Sequence, residues 1–125
     1  MNNSYRLVLL LIVFLFACSK AEKKHFDADS LHLFYTNGDT IIEFVEKRRE
    51  VIDAFAEVLD SPQVNTKCHN NGELRFMKNN QITYFVGFSI STDCQYLTHN
   101  DTAWKLNYRA GMYLSELRDS LLTKR

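Results

Sequence analysis

Several absences narrow the chemistry open to this chain before any residue is placed. Its glycines, Gly38, Gly72, Gly87 and Gly111, stand far apart, so there is no glycine-rich loop to cradle a phosphate or a nucleotide. Neither sign of charge is in excess: 15 Lys+Arg face 15 Asp+Glu. That balance argues against nucleic acid, which calls for a basic face. There is no C-x-x-C pair, no internal repeat and no low-complexity tract. The longest apolar run, Leu7 to Ala17, has 11 residues, far short of the ~20 that a helix needs to cross a bilayer.

What is present indicates a folded domain. Aromatic residues make up 13% of the chain, which is more than a disordered segment carries. The apolar run that follows Arg6 has no polar face, so it does not suit a half-buried helix. A basic start, a short apolar stretch and a small residue at its end make a secretory leader. The stretch closes on Leu15-Phe16-Ala17-Cys18-Ser19. This segment, and no other part of the chain, resembles the lipobox signal of bacterial lipoproteins. The resemblance implies removal of residues 1–17, lipidation of Cys18 and a place in the cell envelope. Ser19, at the sorting position of that family, favours the outer membrane over the inner. Anchoring by more than one acyl chain is stable, whereas a single chain is marginal. The expected partners are thus the membrane, through the N-terminal lipid, and an envelope protein, with no nucleic acid.

Cleavage there leaves Cys18 to Arg125, 108 residues, enough for one small domain. It removes Arg6, so 15 − 1 = 14 basic residues remain against 15 acidic ones. Residues 18–29 read as a lipidated end and short polar tether, and residues 30–125 as a single domain. With Cys18 lipidated, Cys68 and Cys94 are left as a pair, and outside the inner membrane such pairs oxidise.

Leu31 to Tyr35 reads as a strand, followed by a turn at Asn37-Gly38. Thr40 and Glu43 fit a capping box, which predicts a helix from Thr40 to about Leu59, ended by Pro62. Ile41, Phe44, Val45, Val51, Ile52, Phe55, Val58 and Leu59 form its apolar stripe. A meander follows: Glu73–Met77, a turn around Asn79-Asn80, and Ile82–Ser91. Cys94–Thr98 and Thr102–Tyr108 then pair around His99-Asn100-Asp101. Within Ile82–Ser91, Ile82, Tyr84, Val86, Phe88 and Ile90 alternate with Thr83, Phe85, Gly87, Ser89 and Ser91, the pattern of a half-buried antiparallel strand. A last helix from about Arg109 to Leu122 would bury Tyr113, Leu114, Leu117 and Leu121.

The expected fold is α+β, a two-layer sandwich in which both helices cover one face of an antiparallel meander, in the order β-α-β-β-β-β-α. Cys68 and Cys94 flank the first meander hairpin symmetrically, which suits a disulfide. The other sheet face stays open. Arg75, Met77, Thr83, Phe85, Ser89 and Ser91 would line it, an aromatic among small polar side chains and so a candidate protein-binding face. Gly87 there would let another part of a chain approach closely.

No catalytic, cofactor-binding or metal set is expected. Cys68, His69, Cys94 and His99 have the right chemistry for zinc or for a thiol nucleophile, but not zinc-site spacing. A small metal- or thiol-dependent enzyme, or a binder of small ligands, is the alternative. Lys47-Arg48-Arg49 sits among Glu43, Glu46 and Glu50 and reads as a solvated, charge-compensated surface.

Overall fold

The computed structural model describes residues 27–123. The leader, Cys18 and the first part of the tether lie outside the described residues. Among the described residues the order is β1 (Ser30–Asn37), β2 (Thr40–Glu46), α1 (Arg49–Asp60), β3 (Gln63–Val64), β4 (Gly72–Lys78), β5 (Gln81–Ser91), β6 (Cys94–His99), β7 (Thr102–Lys105) and α2 (Tyr108–Thr123). The strands form one open sheet in the order β2-β1-β4-β5-β6-β7-β3, and every pairing is antiparallel. This is the two-layer α+β sandwich that the residue pattern predicts, with both helices on one side of a meander.

The turns are chemically explicit. Asn79 and Asn80 have φ of 51° and 64°, the left-handed pair that a tight hairpin needs, and asparagine tolerates that region. Gly38, at φ 62°, serves the β1–β2 turn. The Asn79 amide donates to Asp29 Oδ2 at 3.1 Å, and this bond holds the Asp29 carboxyl below the ordinary carboxylate range. Order therefore starts earlier than the tether reading suggests. Ala28 is fully buried, and its carbonyl accepts from Arg49 Nη2 at 2.7 Å.

The first predicted helix is divided in two. Residues Thr40–Glu46 form strand β2, and only Arg49–Asp60 is helical. The stripe Ile41, Phe44, Val45 suits a helix by spacing, yet Thr40, Ile41, Ile42 and Val45 are β-branched and stiff. The tight turn at Gly38 then lays them against β1, in register from Leu31↔Glu46 to Asn37↔Thr40. The predicted capping box at Thr40 is not formed.

What starts α1 instead is Glu46. It is 5% exposed, and its carboxylate accepts from the Arg48 amide (2.9 Å), Arg48 Nε (2.9 Å), Arg48 Nη2 (3.0 Å) and the Tyr113 hydroxyl (3.0 Å). These bonds outweigh the cost of burial and hold its carboxyl down at about 2, against an ordinary 4.5. Burial, reinforced by Glu46, pushes the Tyr113 hydroxyl well above its usual value. The second helix has its own cap. Asn107 Oδ1 accepts from the Ala110 amide while its Nδ2 donates to the Ala54 carbonyl, so one side chain caps α2 and ties it to α1.

The core joins both layers. Leu31, Leu33, Leu74, Phe76, Val86, Phe88, Ile90, Leu97 and Trp104 of the sheet meet Val51, Ile52, Phe55, Val58, Ala110 and Leu114 of the helices. Side chains of this kind stabilise by about 1.5–3 kcal/mol each when fully buried. Phe55 meets the Tyr113 ring edge-on at 5.9 Å. The strand expected over Thr102–Tyr108 ends at Lys105, and Tyr108 is instead 80% exposed at the start of α2.

A group held below its unfolded value stabilises the fold above that unfolded value, and the benefit is lost as pH falls through the folded one. Unfolding followed by circular dichroism should therefore show stability dropping from pH 4.5 towards about 2, by about 2–3 kcal/mol from this group. Glu46→Gln should lower Tm at neutral pH and flatten that acid limb. Gly111 lies in α2, where an added Cβ would meet only Gln95 Oε1, at 3.6 Å. Gly111→Ala should accordingly raise stability by about 0.5–1 kcal/mol in the same unfolding measurement.

Candidate docking face of the sheet

Successive side chains in a strand point to opposite faces, so the residues that alternate with the core ones form the face turned away from the helices. One half of it is covered by the chain itself. Residues 65–71 leave β3 and cross over β5 and β6 as a strap before entering β4. Cys68 is joined to Cys94 by a disulfide, with 5.8 Å between their Cα atoms. The His69 carbonyl accepts from Ser89 Oγ at 2.8 Å, and Asn70 Oδ1 accepts from Thr98 Oγ1 at 2.8 Å. Asn71 ends the strap inside the ladder: its amide donates to the Phe88 carbonyl, and its Oδ1 accepts from the Ile90 amide. The space that a side chain at Gly87 would take is filled by Asn70, so the close approach expected there comes from this chain's own strap.

The other half is free of the strap. Register lines its residues up in two rows across the strands: Val45–His32–Arg75–Phe85, and Glu43–Phe34–Glu73, which meets the strap at Gly87. The Arg75 guanidinium lies 4.4 Å over the Phe34 ring, and its Nε donates to Glu73, so the planar cation is held flat on the surface. Phe85 is 48% exposed. Its ring meets His99 edge-on at 5.4 Å, and its carbonyl lies 2.9 Å from His99 Nδ1. A carbonyl can only accept, so in this contact Nδ1 is the donor. His32 Nδ1 stands 3.6 Å from Glu43. Two shallow depressions of about 330 and 250 Å³ follow the border between this half and the strap, sharing Asn70, Gly72 and Glu73 as walls.

Of the six residues expected on the open face, Arg75 and Phe85 lie side by side in its free half. Thr83 is exposed on β5, with its hydroxyl donating to the Phe76 carbonyl. Ser91 is exposed at the end of β5, opposite Cys94. Two expectations need correction. Ser89 has no exposed surface, because the strap seals it. Met77 is buried, beside its equally buried β1 partner Ser30 and opposite Ile82. The register shifts between Phe76 and Met77 because β5 carries one extra residue there, and this leaves Ile82 half exposed on the face of Met77.

Sequence reasoning missed Phe34, His32 and Glu73 on this face. It also placed Ile41 and Val45 in a helical core stripe, although both are exposed strand residues. The alternation of His32 and Phe34 with Leu31 and Leu33 is the signal that could have found the β1 pair. The arginines of the basic run are compensated, partly by the acids that the sequence puts beside them: Arg48 Nη1 stands 3.9 Å from Glu50. Arg48 also engages Glu46, and Arg49 Nη1 stands 3.7 Å from Asp53; Glu43 faces His32 instead of the basic run.

Cys68, His69, Cys94 and His99 do not assemble as a ligand set. The cysteines are bonded to each other, and the His99 ring packs on Tyr84 and Phe85. Among the described residues no three His, Cys, Asp or Glu side chains converge as a metal would need. None of the described helices is long and apolar enough to cross a membrane.

Removing the disulfide (Cys68→Ala with Cys94→Ala) should cost up to about 3–4 kcal/mol by loop closure. Amide exchange should quicken first in residues 65–71, with Ser89 becoming accessible while α1 stays protected. Comparison with known proteins found no family model that matches the chain, and no curated protein or solved structure that is significantly similar to it.

Proposed function

We propose that this chain is a lipid-anchored accessory protein of the bacterial cell envelope, without catalytic activity, that docks another envelope protein on the strap-free half of its sheet. The observation that carries the reading is the cluster of Phe34, Arg75 and Phe85. It is an aromatic and arginine surface on a sheet face whose other half the chain covers for itself. Arginine and aromatic side chains dominate the energetics of protein interfaces, and Arg75 is already ordered by Phe34 and Glu73, which lowers the entropy lost on binding.

The lipobox-like ending at Cys18 supports the address. The fold supports its geometry, because the described chain enters at Asp27, beside Lys78 at 3.2 Å. That end of the sheet carries the β4–β5 turn, so a short tether from Cys18 would hold this end towards a membrane and leave the free face sideways to it.

Photocrosslinking in intact cells tests the docking surface. A crosslinker placed at Phe85 should trap one envelope protein, and one placed at exposed Glu57 on α1 should not. Arg75→Ala should weaken the recovered complex by about tenfold or more. Equal trapping from both positions would overturn the reading. In fractionation, the chain should stay with membranes and Cys18→Ser should release it; unprocessed protein in the cytosol would remove the envelope address.

A further inference from the structure

The sheet has two edges, and they differ. β3 is two residues long, short enough to offer little to a neighbour. β2 spans seven residues, Thr40–Glu46, and pairs with β1 alone among the described residues. An edge strand presents a row of unpaired N–H and C=O groups. On β2 that row carries exposed apolar side chains on both sides: Ile41 and Val45 on the open face, Phe44 on the other. Between Ile41 and Val45 stands Glu43, whose side chain is 55% exposed, with the His32 ring 3.6 Å away and Phe34 as its register partner on β1.

We propose that β2 is a strand-addition edge that takes an extended segment of another protein, whose Lys or Arg, set between two apolar side chains, lies opposite Glu43. The charge selects the occupant. Two copies of one strand pairing antiparallel about a two-fold axis always put one residue opposite itself. The register that uses all of Thr40–Glu46 is centred on Glu43, so it would set two carboxylates face to face. Like charges directly opposite destabilise a sheet, and opposite charges stabilise it. A second copy is thus disfavoured in the one register that buries the whole edge, whereas a foreign strand with a central cation gains there. Its outer apolar residues would extend the rows of Ile41 and Val45, and its backbone would complete the ladder in the manner of β-augmentation.

This inference rests on the reading of the same sheet as a docking element, and names the kind of segment that would reach it. The probe is a short alternating valine–threonine peptide with a central lysine, compared with its glutamate twin and titrated into the full mature chain. The lysine peptide should bind about tenfold more tightly, and bound peptide should slow amide exchange in residues 40–46. Glu43→Lys, an exposed substitution, should reverse the preference. Absence of binding by either peptide, a preference unchanged by Glu43→Lys, or protection outside β2 would overturn the proposal. So would sedimentation of the free protein as a dimer with β2 amides protected, which would assign the edge to a second copy. Peptide preference reads the edge alone, while crosslinking from Phe85 reads the face, so failure of one is distinguishable from failure of the other.

Discussion

A single carboxylate governs how the two layers meet. Glu46 is the last residue of β2 and points to the helical side of the sheet. Burying a charge there would be costly without partners. The chain meets that requirement locally, with Arg48, and at long range, with the Tyr113 hydroxyl. Three consequences follow from one site. The strand ends, because the Arg48 amide is drawn back to the carboxylate. Helix α1 starts in a fixed direction, without a side-chain cap of its own. Helix α2 is held at its Tyr113 turn, where the Arg48 guanidinium also lies 5.9 Å from the ring. Removing Arg48, itself mostly exposed, would leave the buried Glu46 carboxylate without its main partner, which is why this junction has more leverage than the surface ion pairs around it.

The opposite face is organised by covalent and polar closure, not by a second helical layer. An antiparallel sheet can leave one side to water, but Ser89 and the small residues around it give that side little to pack. The strap supplies a lid made of its own asparagines. Asn71 continues the β4–β5 ladder with a side-chain carbonyl where a backbone one would stand, so a segment without strand structure still satisfies the backbone groups beneath it. Because the lid covers only β5 and β6, the remaining face is bounded sharply, with Phe85 at its margin.

Much of this was legible in the residues. The alternation from Tyr84 to Ile90, the paired asparagines at the hairpin and the symmetric spacing of Cys68 and Cys94 each carry a local physical signal, and together they placed the meander and its disulfide. The segment from Thr40 to Glu46 was not legible, because Ile41, Phe44 and Val45 satisfy helical and extended spacing alike. What decided it was pairing with β1, which is a tertiary effect. Arg75 and Phe85 could be put on one face by parity alone. Ser89 shared that parity, but parity says nothing about what lies above a residue. The strap is polar and aperiodic, and its one trace in the sequence was the glycine at position 87. Ile82 was misplaced for a similar reason: one extra residue in β5 changes its face and leaves no mark on composition.

The entry of the chain into the sheet has a mechanical meaning. Ala28 and Asp29 are fastened to Arg49, Met77 and Asn79, and the next residues run straight into β1, a strand with neighbours on both sides. Tension reaching the domain from its N-terminus therefore acts along the axis of β1, at right angles to the hydrogen bonds on either flank. Loaded this way, both ladders must shear together and cannot be peeled apart one rung at a time, so the fold resists being tugged from that end as a clasp does, not as a zipper.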